Sequence, residues 1–328
     1  MDRLERKLLQ EAGLRILLTG ATGFIGRHLT KALLRDGHTV RVALRDDRPI
    51  PAGVESAVVG DIGGSPDWRT ALAGVDGVIH AAGIAHAGPG VAVERYQRVN
   101  HAATLHLAHA ARGRAGRFIL LSSIRAQSGP SSASILTEAD DPRPTDDYGR
   151  SKLAAERGLA EIDDLPAAAL RPVLVYGDDV RGNMGALIRL ARLPFPLPLG
   201  ALDAPRSLVA VETVAAAVQH LLTTNDSEGK PLSGPFLVAD PEPIDVPGML
   251  TALREGFGRR PWLFSPPVPA LRGALSLAGR ADMLDRLNSP LVAKGVRLME
   301  SGFTPAVSSR QGLVSLARRL AGDVRNRE

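Results

Sequence analysis

Short apolar runs alternate with amphipathic stretches from Leu14 to about Tyr176. Arg15–Thr19, Thr39–Leu44, Glu55–Gly60, Gly77–His80 and Arg117–Leu121 read as strands, because aliphatic residues run together there over strand length. Arg27–Leu34, His101–Ala111 and the stretch from Tyr148 to Glu156 read as helices. Strands and helices in alternation predict an α/β fold built on a doubly wound parallel sheet. Past Tyr176 the pattern degrades. Residues 177–206 are rich in Pro and Gly, Val211–Leu222 reads as a helix, and Phe236–Ala239 as a short strand. Residues 240–328 carry helices broken by Pro243, Pro247 and the Pro261–Pro269 cluster. The long polar stretch Ser128–Asp147 is expected to be a mobile cover ahead of the next helix.

The first strand runs into Gly20-Ala21-Thr22-Gly23-Phe24-Ile25-Gly26, and a helix follows. Glycines permit positive φ and close approach of the backbone to a pyrophosphate, which would sit at the helix N-terminus. The spacing is G-x-x-G-x-x-G, not the G-x-G-x-x-G of the usual dinucleotide fingerprint. Strand, turn and helix together make Gly20, Thr22, Gly23, Phe24, Ile25 and Gly26 the candidate phosphate cradle. Past the second strand the first charge is Arg45, with Asp46 and Asp47 after it. An arginine there suits an adenosine 2′-phosphate and an acid suits a free 2′-hydroxyl. Arg45 tips the expected cofactor from NAD towards NADP, with either aspartate as the alternative ribose partner. After the third strand, Asp61-Ile62 offers a carboxylate to an adenine amino group or, equally, a cap to the next turn.

Ala81, Ala82 and Gly83 end the fourth strand and let a flat ligand lie on the backbone. His80 reads as a satisfied core histidine, and His86 in the loop beyond as a substrate contact. Asn100 is taken to open the helix His101–Ala111, as a cap or a polar core residue. Ser122-Ser123 end the fifth strand at the carboxyl edge, where open α/β sheets bind ligands. Tyr148-Gly149-Arg150-Ser151-Lys152 then places a phenol and an ammonium on one helical face. A phenol titrates near ~10, and a neighbouring cation lowers that value by favouring the phenolate. Such a pair can move a proton on or off an alcohol or ketone oxygen.

In this order and at this spacing, Thr19-Gly20-x-x-Gly23-x-x-Gly26, Asn100, Ser123 and Tyr148-x-x-x-Lys152 resemble the extended short-chain dehydrogenase/reductase family. That group holds nucleotide-sugar epimerases, dehydratases and reductases. The likeness continues through Arg171–Gly177 and Arg206–Val209 to Ser301-Gly302-Phe303-Thr304-Pro305, nearly the whole chain from about Leu14. It implies a Rossmann-type sheet with a smaller C-terminal substrate-binding lobe. Residues 13–176 would form the dinucleotide-binding domain, with 207–239 returning to it, and 177–206 and 240–328 the lobe.

By resemblance, Tyr148 is the acid/base, and Lys152 holds the nicotinamide ribose and depresses the tyrosine pKa. Ser123 hydrogen-bonds the same substrate oxygen and is preferred to Ser122 from its register to Ile124-Arg125-Ala126. Asn100 supports the lysine through water, and Pro172 packs near the nicotinamide. Arg206 grips a nucleotide diphosphate with its planar fork. A homodimer through the helices bearing Asn100 and Tyr148 is implied as well. Ala126-Gln127-Ser128 departs from the Val-Tyr-Gly frequent in relatives.

Arg181-Gly182-Asn183-Met184, the proline-punctuated Leu193–Gly200 and Arg206–Val209 are similar to bacterial reductases and epimerases of UDP-4-keto-6-deoxy-N-acetylhexosamines, a group akin to UDP-glucose 4-epimerases. Asn183 is placed on the substrate by that likeness. A dehydratase needs an acidic pair after the catalytic hydroxyl, and Ile124-Arg125 stands there instead. The expected activity is NAD(P)-dependent reduction of a 4-keto UDP-sugar, with 4-epimerisation as the alternative and a non-catalytic NADP sensor as a reading of another class.

Composition narrows the partners. In 328 residues, 44% are hydrophobic and 23% charged, an ordinary globular balance. Aromatics at 4% leave little for stacking single-stranded nucleic acid, and a net charge of +5 spread along the chain suits a small anionic ligand. Nucleic acid is therefore not an expected partner. Cysteine is absent, so no disulfide or thiolate metal site is available, and no metal is expected. Met1–Lys7 lacks the apolar core of a signal peptide, and no apolar run reaches the ~18–20 residues that span a bilayer. Leu263–Leu277 is apolar but interrupted by Arg272 and reads as packing or a peripheral surface. A cytoplasmic location is the default expectation.

Overall fold

The computed structural model describes residues 13–85, 91–277, 284 and 287–325. Among the described residues nine strands follow in chain order: β1 (Arg15–Thr19), β2 (Thr39–Leu44), β3 (Val54–Val58), β4 (Gly77–His80), β5 (Arg117–Leu121), β6 (Ala167–Pro172), β7 (Leu174–Tyr176), β8 (Leu208–Ala210) and β9 (Gly234–Val238). Seven form one sheet in the order β3-β2-β1-β4-β5-β6-β9, with every neighbour parallel. β7 and β8 pair separately. The fold is a Rossmann-type α/β sheet. Its strand order reverses between β1 and β4, which opens a crevice at the carboxyl ends of the strands.

The aliphatic runs follow from burial on both faces. Ile16 and Leu18 of β1 pack with Leu29 and Leu33 of helix Phe24–Arg35 and with Val214 and Val218 of helix Val211–Thr223. Leu17, one residue out of phase, joins Trp68, Leu107 and Phe118 on the opposite face. Successive strand side chains point to opposite faces, so a sheet covered on both sides needs apolar residues at consecutive positions.

Three expectations change. Asn100 does not open a helix: the helix starts at Val93, widens into a π-turn over Gln97–Ala102 that contains Asn100, and continues as Ala103–Ala111. Residues 177–206 are not irregular throughout. Helix Gly182–Ala191 buries Met184, Leu187, Ile188 and Ala191, a spacing masked by the surrounding Pro and Gly. Ser128–Asp147 is strapped down rather than loose. Ser132 and Leu136 donate backbone bonds of 2.9 Å to Pro290 and Val292, and Lys294 donates to Leu136 at 2.8 Å. Glu138 accepts from the amides of Leu237 at 2.9 Å and Val296 at 3.0 Å.

A second core joins helices Gly182–Ala191, Val246–Gly256 and Ser309–Arg325 through Leu187, Leu250, Leu253, Leu313 and Leu316. The buried Asp240 ties it to the β7–β8 pair. Its carboxylate accepts from Tyr176 Oη at 2.8 Å, Ser309 Oγ at 3.1 Å and the Ala210 amide at 3.2 Å. Among the described residues, no helix is long and apolar enough to cross a membrane.

Candidate active site

The glycine turn between β1 and helix Phe24–Arg35 is shaped by the lack of side chains. Gly20 sits at φ 70°, and a Cβ there would lie 2.5 Å from the Ala82 nitrogen. A Cβ on Gly26 would lie 2.1 Å from the Gly20 carbonyl oxygen. The Gly23 amide donates to the Gly20 carbonyl at 3.0 Å, and no side chain caps the helix that follows. First-turn amides and the helix dipole are therefore directed at the crevice, which favours an anion. Thr19 Oγ1 bonds His80 Nδ1 at 2.8 Å and accepts from the Ala82 amide at 3.1 Å, fixing the gap between β1 and β4. His80 is buried and neutral. Burial, then the Lys152 charge, pushes its pKa down to about 3.

Arg45 is exposed just past β2 and enters no ion pair among the described residues. Asp46 is drawn to Arg48, at 3.8 Å. The Asp61 carboxylate caps the turn Ile62–Gly64 by accepting from the Gly63 amide at 3.1 Å. Ala81, Ala82 and Gly83 lie along the crevice after β4, and a Cβ on Gly83 would come within 3.2 Å of Lys152 Nζ. This contour of glycines and uncapped amides fits a dinucleotide.

The proton-handling groups gather at the ends of β4 and β5. Ser123 Oγ accepts from the Arg125 amide at 3.2 Å and lies near enough to the Tyr148 phenol to lower its pKa. Asp146 caps the Tyr148 helix, Asp147–Ala160, by accepting from the Gly149 amide at 2.7 Å, and its carboxylate pairs with Arg125. A Cβ on Gly149 would sit 2.2 Å from the Arg125 carbonyl oxygen, so glycine after the tyrosine is what lets this helix reach the sheet edge.

Lys152 is buried, and its Nζ donates to the Leu121 carbonyl at 2.8 Å. Asn100 is fully buried. Its Oδ1 accepts from the Ile84 amide at 2.8 Å, while Nδ2 donates to the Ile84 carbonyl and to Ser151 Oγ, both at 3.0 Å. It clamps the loop after β4 to the Tyr148 helix.

The electrostatics correct one expectation. The phenol is not depressed by the lysine. Burial pushes it up to about 12, offset in part by the Ser123 hydrogen bond and the Arg125 charge. Lys152 is itself pulled down to about 8 by burial, against the attraction of Glu156. Its ammonium is held on the Leu121 carbonyl, and its charge is not among the groups that move the phenol.

Beneath these groups lies a buried network that sequence reasoning missed. Ser122 Oγ donates to Glu156, whereas the neighbouring Ser123 faces the phenol. Arg171 Nε reaches both Glu156 oxygens at 3.1 and 3.0 Å, and Arg171 also donates to Gln127 Oε1. Gln127 Nε2 donates to the Asp140 carbonyl at 2.7 Å, joining the strap to the floor of the site. Glu156 lies one helical turn beyond Lys152, a spacing that could have signalled it.

Arg206 donates to the Ser289 carbonyl at 2.6 Å and the Pro130 carbonyl at 3.4 Å, and the nearby Arg125 adds to burial in lowering its pKa. Asn183 is exposed in the first turn of helix Gly182–Ala191, in the other lobe from the Tyr148 group. Pro172 is buried at the end of β6, opposite Val238. His86 lies outside the described residues.

Residues 16–233 match the NAD dependent epimerase/dehydratase family. UDP-glucose 4-epimerase of Vibrio cholerae is 31% identical over 314 residues, covering 92% of this chain and 94% of that protein. The crystal structure of UDP-N-acetylglucosamine 4-epimerase from Bacillus cereus superposes with a TM-score of 0.74 at 21% identity, over 95% of this chain and all of that one. MoeE5 in complex with UDP-glucose and NAD gives a TM-score of 0.70 at 26% identity, over 94% and 99% of the two chains.

Proposed function

The chain belongs to the NAD-dependent epimerase/dehydratase family, and we propose that it oxidises and re-reduces C4 of a UDP-linked hexose, interconverting the C4 epimers. The observation that carries this reading is the gathering of the Tyr148 phenol, Ser123 and the buried Lys152 at the mouth of the glycine-lined crevice, with Gly83 beside the lysine. The Vibrio cholerae relative, a UDP-glucose 4-epimerase, and the MoeE5 complex with UDP-glucose support a UDP-sugar in the cleft.

Gly20, Thr22, Gly23, Phe24, Ile25 and Gly26 would hold the pyrophosphate. Asp61, Ile62, Ala81, Ala82, Gly83 and Pro172 would line the remainder of the dinucleotide, with Lys152 at its ribose. Bound NAD(P) supplies hydride acceptance and return. Tyr148 exchanges the proton of the C4 oxygen, acting as base in one direction and as acid in the other, and Ser123 donates to the same oxygen. Arg206 and Asn183 would hold the UDP-sugar from the other lobe. Dimerisation through the helices bearing Asn100 and Tyr148 belongs to the same proposal, and a monomer in light scattering would remove it.

A second reading is net reduction of a UDP-4-keto-6-deoxy-N-acetylhexosamine by NADPH. One observation favours it: Arg45 is exposed just past β2, where an arginine suits a 2′-phosphate. The deciding assay is product analysis by NMR with UDP-hexoses and UDP-4-keto sugars. Epimer formation without added cofactor supports the first reading, and stoichiometric NADPH oxidation by a keto sugar the second. Tyr148→Phe is expected to cut turnover by ~10²-fold or more with nucleotide affinity unchanged. Turnover that survives this change would remove Tyr148 from the chemistry.

A further inference from the structure

Among the described residues, the half-exposed large aromatics are Phe195 (52%), Trp262 (49%) and Phe264 (50%), and all three stand on two adjoining segments. The Leu197 amide donates to the Trp262 carbonyl at 3.0 Å, Phe264 to Leu197 at 3.1 Å and Gly200 to Phe264 at 3.0 Å. Pro194, Pro196, Pro198 and Pro261 stiffen both segments. Behind them the buried Arg254 donates to the carbonyls of Phe195 at 2.7 Å, Trp262 at 3.0 Å and Leu193 at 3.2 Å. The aromatic tips are thus held out on a braced scaffold.

Basic side chains lie beside them, and the nearby Glu255 is paired with Arg310. Arg254, Arg259 and Arg260 line a cleft of about 230 Å³ with Leu193, Pro194 and Trp262. The Arg260 guanidinium lies 5.9 Å from the Trp262 ring centroid, and that of Arg192 lies 5.0 Å from Phe257. None of these four arginines is paired with a carboxylate among the described residues. Helix Val268–Leu277 follows directly and ends with Leu277 exposed.

We infer that this face docks on an anionic phospholipid bilayer, with Trp262 at headgroup level, Phe195 and Phe264 against the acyl boundary, and lipid phosphates against Arg259 and Arg260. An indole with its polar ring edge settles at the membrane–water boundary, phenyl rings enter the apolar side of it, and basic residues are drawn to a negative leaflet. A bilayer demands no complementary shape, only an apolar layer beneath anionic charge. A protein partner would have to match both the protruding rings and the uncompensated arginines. This inference is independent of the reaction proposed above.

The test is sedimentation of the intact protein with vesicles of phosphatidylcholine, alone or with about a third phosphatidylglycerol. Binding is expected only to the anionic vesicles, and it should fall away at about 1 M salt, where the screening length shrinks to about 3 Å. Trp262 provides a built-in probe, because the chain's other tryptophan, Trp68, is only 2% exposed. Its emission should shift to the blue on binding and be quenched by brominated acyl chains. Phe195→Ser combined with Phe264→Ser keeps that probe and should weaken binding on the order of tenfold. Arg259→Ser with Arg260→Ser should do the same at low salt. Failure of the intact protein to bind phosphatidylglycerol vesicles, equal binding by the aromatic variant, or an unquenched Trp262 would overturn the inference. So would self-association or a protein partner using this face in place of lipid.

Discussion

The two halves of the active site are made on opposite physical terms. The phosphate half is built by omission. Gly20 and Gly26 leave room for the backbone to close on itself and for amides to face an anion, and almost no side chain takes part. The proton half is built by excess. Ser122, Glu156, Arg171 and Gln127 form one buried network, Asn100 with Ser151 another, and Lys152 is tied to the Leu121 carbonyl. The first half tolerates no added atom. The second tolerates no lost partner, since a buried polar group without one is costly.

That contrast can be broken at either end. The largest effect is expected from Glu156→Ala, which strands the Arg171 guanidinium in the interior. Loss of one partner of a buried pair should cost about 3–5 kcal/mol, read by urea unfolding. A loss under about 1 kcal/mol would show the network to be replaceable by water. Gly20→Ala forces a side chain into left-handed backbone and against the Ala82 nitrogen. It should cost about 1–3 kcal/mol and weaken NAD(P) binding in calorimetry, while the Tyr148 helix stays intact.

Lys152 sharpens the comparison through pH. Its folded pKa of about 8 lies below the ordinary lysine value of 10.5, so between those values the unfolded chain binds a proton that the folded chain has lost. Stability from this group therefore rises with pH, by up to about 1 kcal/mol per unit from 8 to 10. Lys152→Met should flatten that rise, and an unaltered pH profile would refute the depressed value. The smallest effect belongs to Arg45→Ala. It is predicted to weaken NADPH binding by about tenfold with NADH untouched, the scale of one charge-assisted contact.

The phosphate half and the Tyr148–Lys152 spacing were legible in the sequence because each lies within one turn and one helix. The parallel sheet was legible for a similar reason: apolar runs report burial locally. Contacts made across the fold were not. Arg171 and Gln127 lie 44 residues apart in sequence, and Gln127 stands out in the chain only as a departure from its relatives. Helix Gly182–Ala191 was hidden by flanking Pro and Gly that terminate it on both sides. The strap at Ser128–Asp147 reads as polar and loose because its partners lie more than 90 residues further on. The rise in the Tyr148 pKa was missed because spacing shows which charges are near and says nothing of how much water the fold removes.

The wide helical turn at Gln97–Ala102 carries a consequence for engineering. A π-turn holds one residue more than an α-helix of the same span. Deleting a single residue ahead of Asn100 would restore a regular spiral and swing the carboxamide around the axis by about 100°. The shortened helix would be the more ordinary one, yet the Ile84 peptide would lose both of its side-chain contacts and the Tyr148 helix its tether. At this point irregular geometry sets the alignment of the site, and a variant that looks locally improved would be the one that falls silent.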